Sequence, residues 1–223
     1  IADEATSASD GRMLVAQAAP AKMPPRLTPD SKAKYGGVFR FRTERDPSSF
    51  DNAKQNSQRQ FSALIHDKLV AKYRQGPPKC NMLPLEPIMA ESWKWSNNGK
   101  TLTVKIREGV HFQKGDPVKG REVVAQDVVN TFKRLMKKLP YMRTPGKLVK
   151  DIVALDKYQV QFQLKSPSTE FIDIVFAASP AGITAVEAAG KDDVFQWEEH
   201  VRTGSGPYIL ELYRPKNILK FTK

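Results

Sequence analysis

Phe39 and Phe41 alternate with Arg40 and Arg42 in "YGGVFRFRTE". A period of two is the mark of a half-buried strand, and this stretch predicts the first one. In "RQFSALIHDKLV" the apolar positions change spacing: Phe61, Leu64, Ile65 and Leu69 fall at i, i+3, i+4 and i+8, predicting an amphipathic helix with His66 toward its polar edge. Four prolines between Gln75 and Pro87 predict an irregular loop there. Beyond it, "ESWKWSNNGKTLTVKI" predicts a hairpin. Trp93 and Trp95 share one face, Asn98-Gly99 supplies left-handed turn residues, and Leu102, Val104 and Ile106 alternate with polar neighbours. Val124, Val128, Phe132, Leu135 and Leu139 form the apolar stripe of a longer helix, after which Tyr141 lies in a loop. "DIVALDKYQVQFQLKSP" predicts a second hairpin, with Val160, Phe162 and Leu164 facing one way and three glutamines the other. Ser168 to about Val201 reads as helical, broken at Ser179-Pro180 and Gly190, and "PYILELYRPKNILKFTK" as strand, turn and strand. Hairpins mixed with helices give an α+β class and not a regular βαβ succession.

Residues 1 to 34 lack this periodicity and are rich in Ala, Ser, Pro and charge, so they read as a flexible leader or linker. The chain begins with Ile, which points to a processed or trimmed N-terminus, and no signal peptide is visible in it. At 223 residues it can bury one good core or two small ones. No run of eighteen apolar residues occurs. The net charge of +12 is partly local: Lys133 to Lys150 holds seven basic residues and no acidic one. Such a run could seek nucleic acid or anionic lipid. With Tyr141 as its only aromatic it lacks the stacking platform of single-strand binders, reads as a solvated helix face and loop, and no nucleic acid is expected.

Candidate chemistry is sparse. The lone Cys80 can form neither an internal disulfide nor a metal site by itself. His66, His111 and His200 show no ligand spacing, so no metal or cofactor is expected. Glu198 and Glu199 diverge on a helix, and Asp192 and Asp193 suit a helix N-terminus better than a catalytic pair. In "RTGSGPYILELY", Gly204, Ser205 and Gly206 precede a strand, and Pro207 removes an amide. That order argues against both a nucleophile elbow and a phosphate cradle. Glycines before a strand point instead to a tight bend or a close backbone approach. An enzyme is not expected.

Taken in order, these pieces resemble the family 5 extracellular solute-binding proteins, the receptors of oligopeptide, dipeptide and nickel ABC importers. "DPSSFDNA" (Asp46 to Ala53) is similar to their Asp-Pro-x-Ser-Leu-Asp-Pro loop, with Asn52 in place of the closing proline. "MAESWKWSNNGKTLTVKIREGVHFQKGDPV", "AQDVVNTFKRL", "IVALDKYQVQFQLKSP" and "TGSGPYILELYRPKNILKF" resemble further family stretches in the same order, and together they cover residues 35 to 223. "KGREV" (Lys119 to Val123) is additional and removes the usual threonine helix cap.

The resemblance implies a periplasmic-binding-protein type II-like main lobe formed by residues 35–75 and 165–223, a hairpin-rich extra subdomain at 76–164, and a second, C-terminal lobe that is missing here. It implies capture of a peptide-like small solute between lobes and delivery to an ABC permease in the membrane, at a periplasmic or other extracytoplasmic location. Gln55, Asn56, Ser57 and Gln58 would line the cleft and pair with an extended ligand's backbone, or else form a helix entry with Ser57 as N-cap. By the same resemblance Tyr141 falls near a cleft-lining tyrosine of relatives, and Gly204, Ser205 and Gly206 would lie near the lobe crossing, in packing or in ligand contact. Other readings remain: a receptor for a nickel chelate, a sugar or another small solute, or a basic fragment that binds anionic surfaces.

Overall fold

The computed structural model describes residues 36–40, 42, 47, 50–54, 59–72, 85–189 and 203–223. Helix α1 (Arg59–Ile65) leads to a short strand β1 (Val70–Lys72), which pairs antiparallel with β2 (Leu85–Pro87). The hairpin β3 (Ala90–Ser96) and β4 (Thr101–Ile106) follows, then helices α2 (Ala125–Lys138) and α3 (Pro140–Leu148). Next come the hairpin β5 (Val149–Ala154) and β6 (Gln159–Leu164), a π-helical turn (Ile172–Phe176) and the one-turn helix α4 (Val186–Ala189). The last hairpin is β7 (Ile209–Arg214) and β8 (Ile218–Thr222).

The two central hairpins merge into one antiparallel sheet in the order β3-β4-β6-β5. Its register follows the alternation in the sequence: Leu102 faces Phe162 and Val104 faces Val160, all four side chains being buried. Asn97, Asn98 and Gly99 all take left-handed backbone angles in the β3–β4 turn, which Asn and Gly tolerate best. Helix α2 lays its stripe on this sheet, with Val128, Phe132 and Leu135 buried. The Asp127 carboxylate accepts the Val124 amide (3.0 Å), a cap supplied from inside the first turn where the preceding residue has no polar side chain.

Phe171 and Phe176, carried by and beside the π-turn, insert into the sheet–helix interface. Phe176 lies 4.9 Å from Phe162 and 5.2 Å from Phe132, ring centre to ring centre. One continuous core therefore runs from Ala53 through the sheet and α2 to Ala185. A smaller core of Phe50, Phe61, Ile65 and Leu210 joins α1 to the β7–β8 hairpin.

Several expectations need correction. The described residues of the 35–44 stretch form no strand, and Phe39 is 86% exposed. Alternation states which face a strand would bury, but only a paired neighbour makes it a strand, and none of the described strands lies beside it. Helix α1 stops at Ile65, so Leu69 is buried from an extended segment and not from a helix face. His66, placed at a polar edge, is buried. Within the proline-rich loop, Leu85–Pro87 is a strand whose proline sits at its last position. Tyr141 lies in α3, not in a loop. Between 168 and 189 the helical reading reduces to the π-turn and α4. Cys80, Asp192, Asp193, Glu198, Glu199 and His200 lie outside the described residues.

Candidate functional site

Helix α1 is the strut of the site. A helix end leaves carbonyls without intrahelical partners. Here the Gly-Ser-Gly-Pro-Tyr segment answers them: the Gly206 amide donates to the Ile65 carbonyl (2.7 Å) and the Tyr208 amide to the Leu64 carbonyl (3.0 Å). The approach is close enough that a Cβ on Gly206 would stand 2.6 Å from the Ile65 oxygen, and one on Gly204 would overlap the same oxygen. This backbone contact is the physical reason for both glycines. Gln113 closes the segment from the other side, its Nε2 donating to the carbonyls of Gly206 (3.1 Å) and Tyr208 (2.8 Å), while its amide donates to the Gly204 carbonyl (2.8 Å).

Ser205, between the glycines, points its hydroxyl toward Met89 Sδ (3.8 Å) and the Asp67 carboxylate. Burial pushes the Asp67 carboxyl above the usual range, and the Ser205 hydroxyl partly offsets that rise. The segment around Asp67 is held on both flanks. Ile183 donates its amide to the Asp67 carbonyl (2.8 Å), and Met89 donates to the Lys68 carbonyl (3.0 Å).

The loop before α1 is anchored as firmly. Asp51 is buried and takes a two-pronged contact from the Arg134 guanidinium (2.6 Å to each oxygen), with the Ala53 amide as a third donor (2.9 Å). Asn52, where the family-like motif would carry proline, accepts from the Ser62 hydroxyl and donates to the Gly182 carbonyl (3.4 Å). His66 packs over Gly182, which has no room for a Cβ beside it.

Among the sequence-predicted site residues, Gln55, Asn56, Ser57 and Gln58 lie outside the described residues. They immediately precede α1, whereas Gly204, Ser205 and Gly206 sit at its far end. The seven residues of α1 span about 10 Å. Tyr141, on α3, is 41% exposed. The basic run divides. Lys137, Lys138, Arg143, Lys147 and Lys150 are exposed, and Lys133 meets Asp151 (2.9 Å). Arg134 is not a solvated cation but the partner of buried Asp51. Sequence reasoning missed this pair because its members are 83 positions apart and each looks ordinary locally. It also missed Asp67 and Gln113, for which no local pattern exists. No group of metal-ligating side chains occurs among the described residues, and no described helix is long and apolar enough to cross a membrane.

The described fold thus combines a helix braced by a glycine loop with an antiparallel sheet into which an aromatic turn inserts. Residues 84–223 match the model of the bacterial extracellular solute-binding proteins, family 5. The chain belongs to this family. It is 29% identical over 201 residues to di/tripeptide-binding protein 3 of Pseudomonas aeruginosa (strain UCBPP-PA14), covering 81% of this chain and 36% of that protein. It is 33% identical over 151 residues to a glutathione-binding protein of Shigella flexneri serotype 5b (strain 8401), covering 63% of this chain and 26% of that one. The fold matches the ABC transporter-associated periplasmic binding protein DppA from Helicobacter pylori, solved with the peptide STSA. The TM-score is 0.65 at 26% identity, over 80% of this chain and 37% of the other. The chain thus spans about a third of the length of the relatives it matches.

Proposed function

We propose that this chain is one lobe of the substrate-binding component of an ABC importer, working outside the cytoplasm. It captures a peptide-like solute in a cleft between lobes and presents it to a membrane permease. The observation that carries this reading is the match, over four-fifths of the chain, to proteins whose names and bound ligand are peptides. The remaining two thirds of those relatives would correspond to the second wall of the cleft. Residues 35–75 and 165–223 would make the main lobe and 76–164 the extra subdomain.

Within this lobe, Gln55, Asn56, Ser57 and Gln58 would offer backbone amides and carbonyls to an extended ligand, a recognition mode that tolerates many side-chain sequences. Helix α1 would hold that segment in place because its other end is locked by Gly206 and Tyr208. Gly204, Ser205 and Gly206 would then act on ligand through α1 and not by touching it.

Calorimetry of the full-length gene product with a panel of di- and tripeptides tests the reading. Binding should be saturable, and Ser57→Pro, which deletes one amide, should weaken it about tenfold. Ser57→Ala should leave affinity unchanged while costing about 1 kcal/mol of stability if Ser57 caps α1. Binding of an unrelated solute class with no response to any peptide would overturn the proposal.

A further inference from the structure

A second cleft opens on the other side of the Asp67–Lys68 segment. Successive side chains of an extended segment point to opposite faces. Asp67 meets Ser205, whereas Lys68 lines a cavity of about 560 Å³ between β1 and the π-turn. Lys72, Asp173, Ile174, Ala177, Ser179 and two further alanines complete the lining, none of it shared with residues 204–206.

The charges in this cleft do not balance. Lys72 and Asp173 neutralise each other at 2.7 Å. Lys68 has no carboxylate partner among the described residues, and burial alone pushes its ammonium below the usual range. A half-buried cation without an acid is costly to maintain and is relieved by an incoming anion. The walls restrict which anion fits. Ile174, 45% exposed, and the alanines give the cleft an apolar side. Asp173 disfavours a doubly charged ligand, and the Ser179 hydroxyl can donate to a second oxygen.

We propose that this cleft binds a small organic monocarboxylate with a short apolar body, its carboxylate held by Lys68 and its body laid against Ile174 and the alanines. The inference stands apart from the peptide reading, since it rests on a different cavity and different residues.

The test uses the full-length protein with N-acetyl-leucinate, its uncharged amide and inorganic phosphate as probes, followed by calorimetry and by the NMR shifts of residues 68–72 and 173–179. The carboxylate should bind with shifts confined to these segments, and the amide and phosphate should bind at least about tenfold more weakly. Lys68→Met keeps the stem and removes the charge, so the protein should stay folded and lose about tenfold in affinity. Ile174→Ala, at an exposed position, should lose about threefold through reduced apolar contact. Equal binding of the amide, preference for phosphate, no binding of the carboxylate, or unchanged affinity in Lys68→Met would each overturn the proposal.

Discussion

Gly206 carries more of the architecture than any charged residue near it. Its amide caps α1 through Ile65, and its missing side chain is what allows the approach. Gly206→Ala would force the helix end and the loop apart. Overpacking of this kind costs about 1–3 kcal/mol, more where the obstacle is backbone, because backbone cannot rotate away. Urea denaturation should show that loss, together with faster amide exchange in α1. A shift within experimental error would mean that the loop can move aside, and would remove the strut argument. Ser205→Ala is the informative contrast: it leaves the close approach intact and deletes only a hydroxyl beside Asp67.

Among the elements, the β5–β6 turn is tied to the strand–helix connection through Glu122. The Lys157 ammonium, the Gly109 amide and the Tyr158 hydroxyl all converge on its carboxylate, with Lys157–Glu122 at 2.7 Å. Together, with Lys157 the largest influence, they hold the Glu122 carboxyl at about 2, below its ordinary 4.5. A carboxyl depressed in the folded state stabilises above its unfolded value, and that contribution fades as pH falls from about 4.5 toward 2. Glu122→Gln should therefore lower stability at neutral pH and flatten the stability–pH curve across that window. Thermal unfolding at pH 7, 4 and 2.5 checks the sign: parent and variant should converge at the acid end. A constant difference across all three would show that Glu122 acts only through packing.

At the scale of the molecule, Asp51 and Arg134 join the two cores. Phe50 belongs to the small core on α1, and Phe132 and Leu135 on α2 belong to the large one. The pair stands between them, with Asp51 almost fully buried. Arg134→Met takes the guanidinium away from a buried carboxylate, and breaking such a pair costs about 3–5 kcal/mol. Asp51→Asn together with Arg134→Met should recover part of that loss, because burying an amide costs less than burying a carboxylate that has lost its guanidinium. A double variant no more stable than Arg134→Met alone, by denaturant titration, would refute an electrostatic origin.

Wherever pairing partners are close along the chain, local pattern was sufficient. Both central hairpins, the α2 stripe and the last hairpin form where alternation and turn residues place them, because hairpin register is set by a few neighbouring residues. The ordered set of family-like motifs carried the fold class in the same way. What pattern could not supply depends on partners remote in sequence. Phe39 alternates correctly yet stands exposed, α1 ends at Ile65 where residues 206 and 208 take its last carbonyls, and a cation read as solvated is the counter-ion of Asp51. The sequence by its own periodicity set the two central hairpins, the α2 stripe and the last hairpin, together with the faces they bury. Folding in three dimensions decided why Gly204 and Gly206 must lack side chains and which charges are answered, since both depend on atoms brought together from distant parts of the chain.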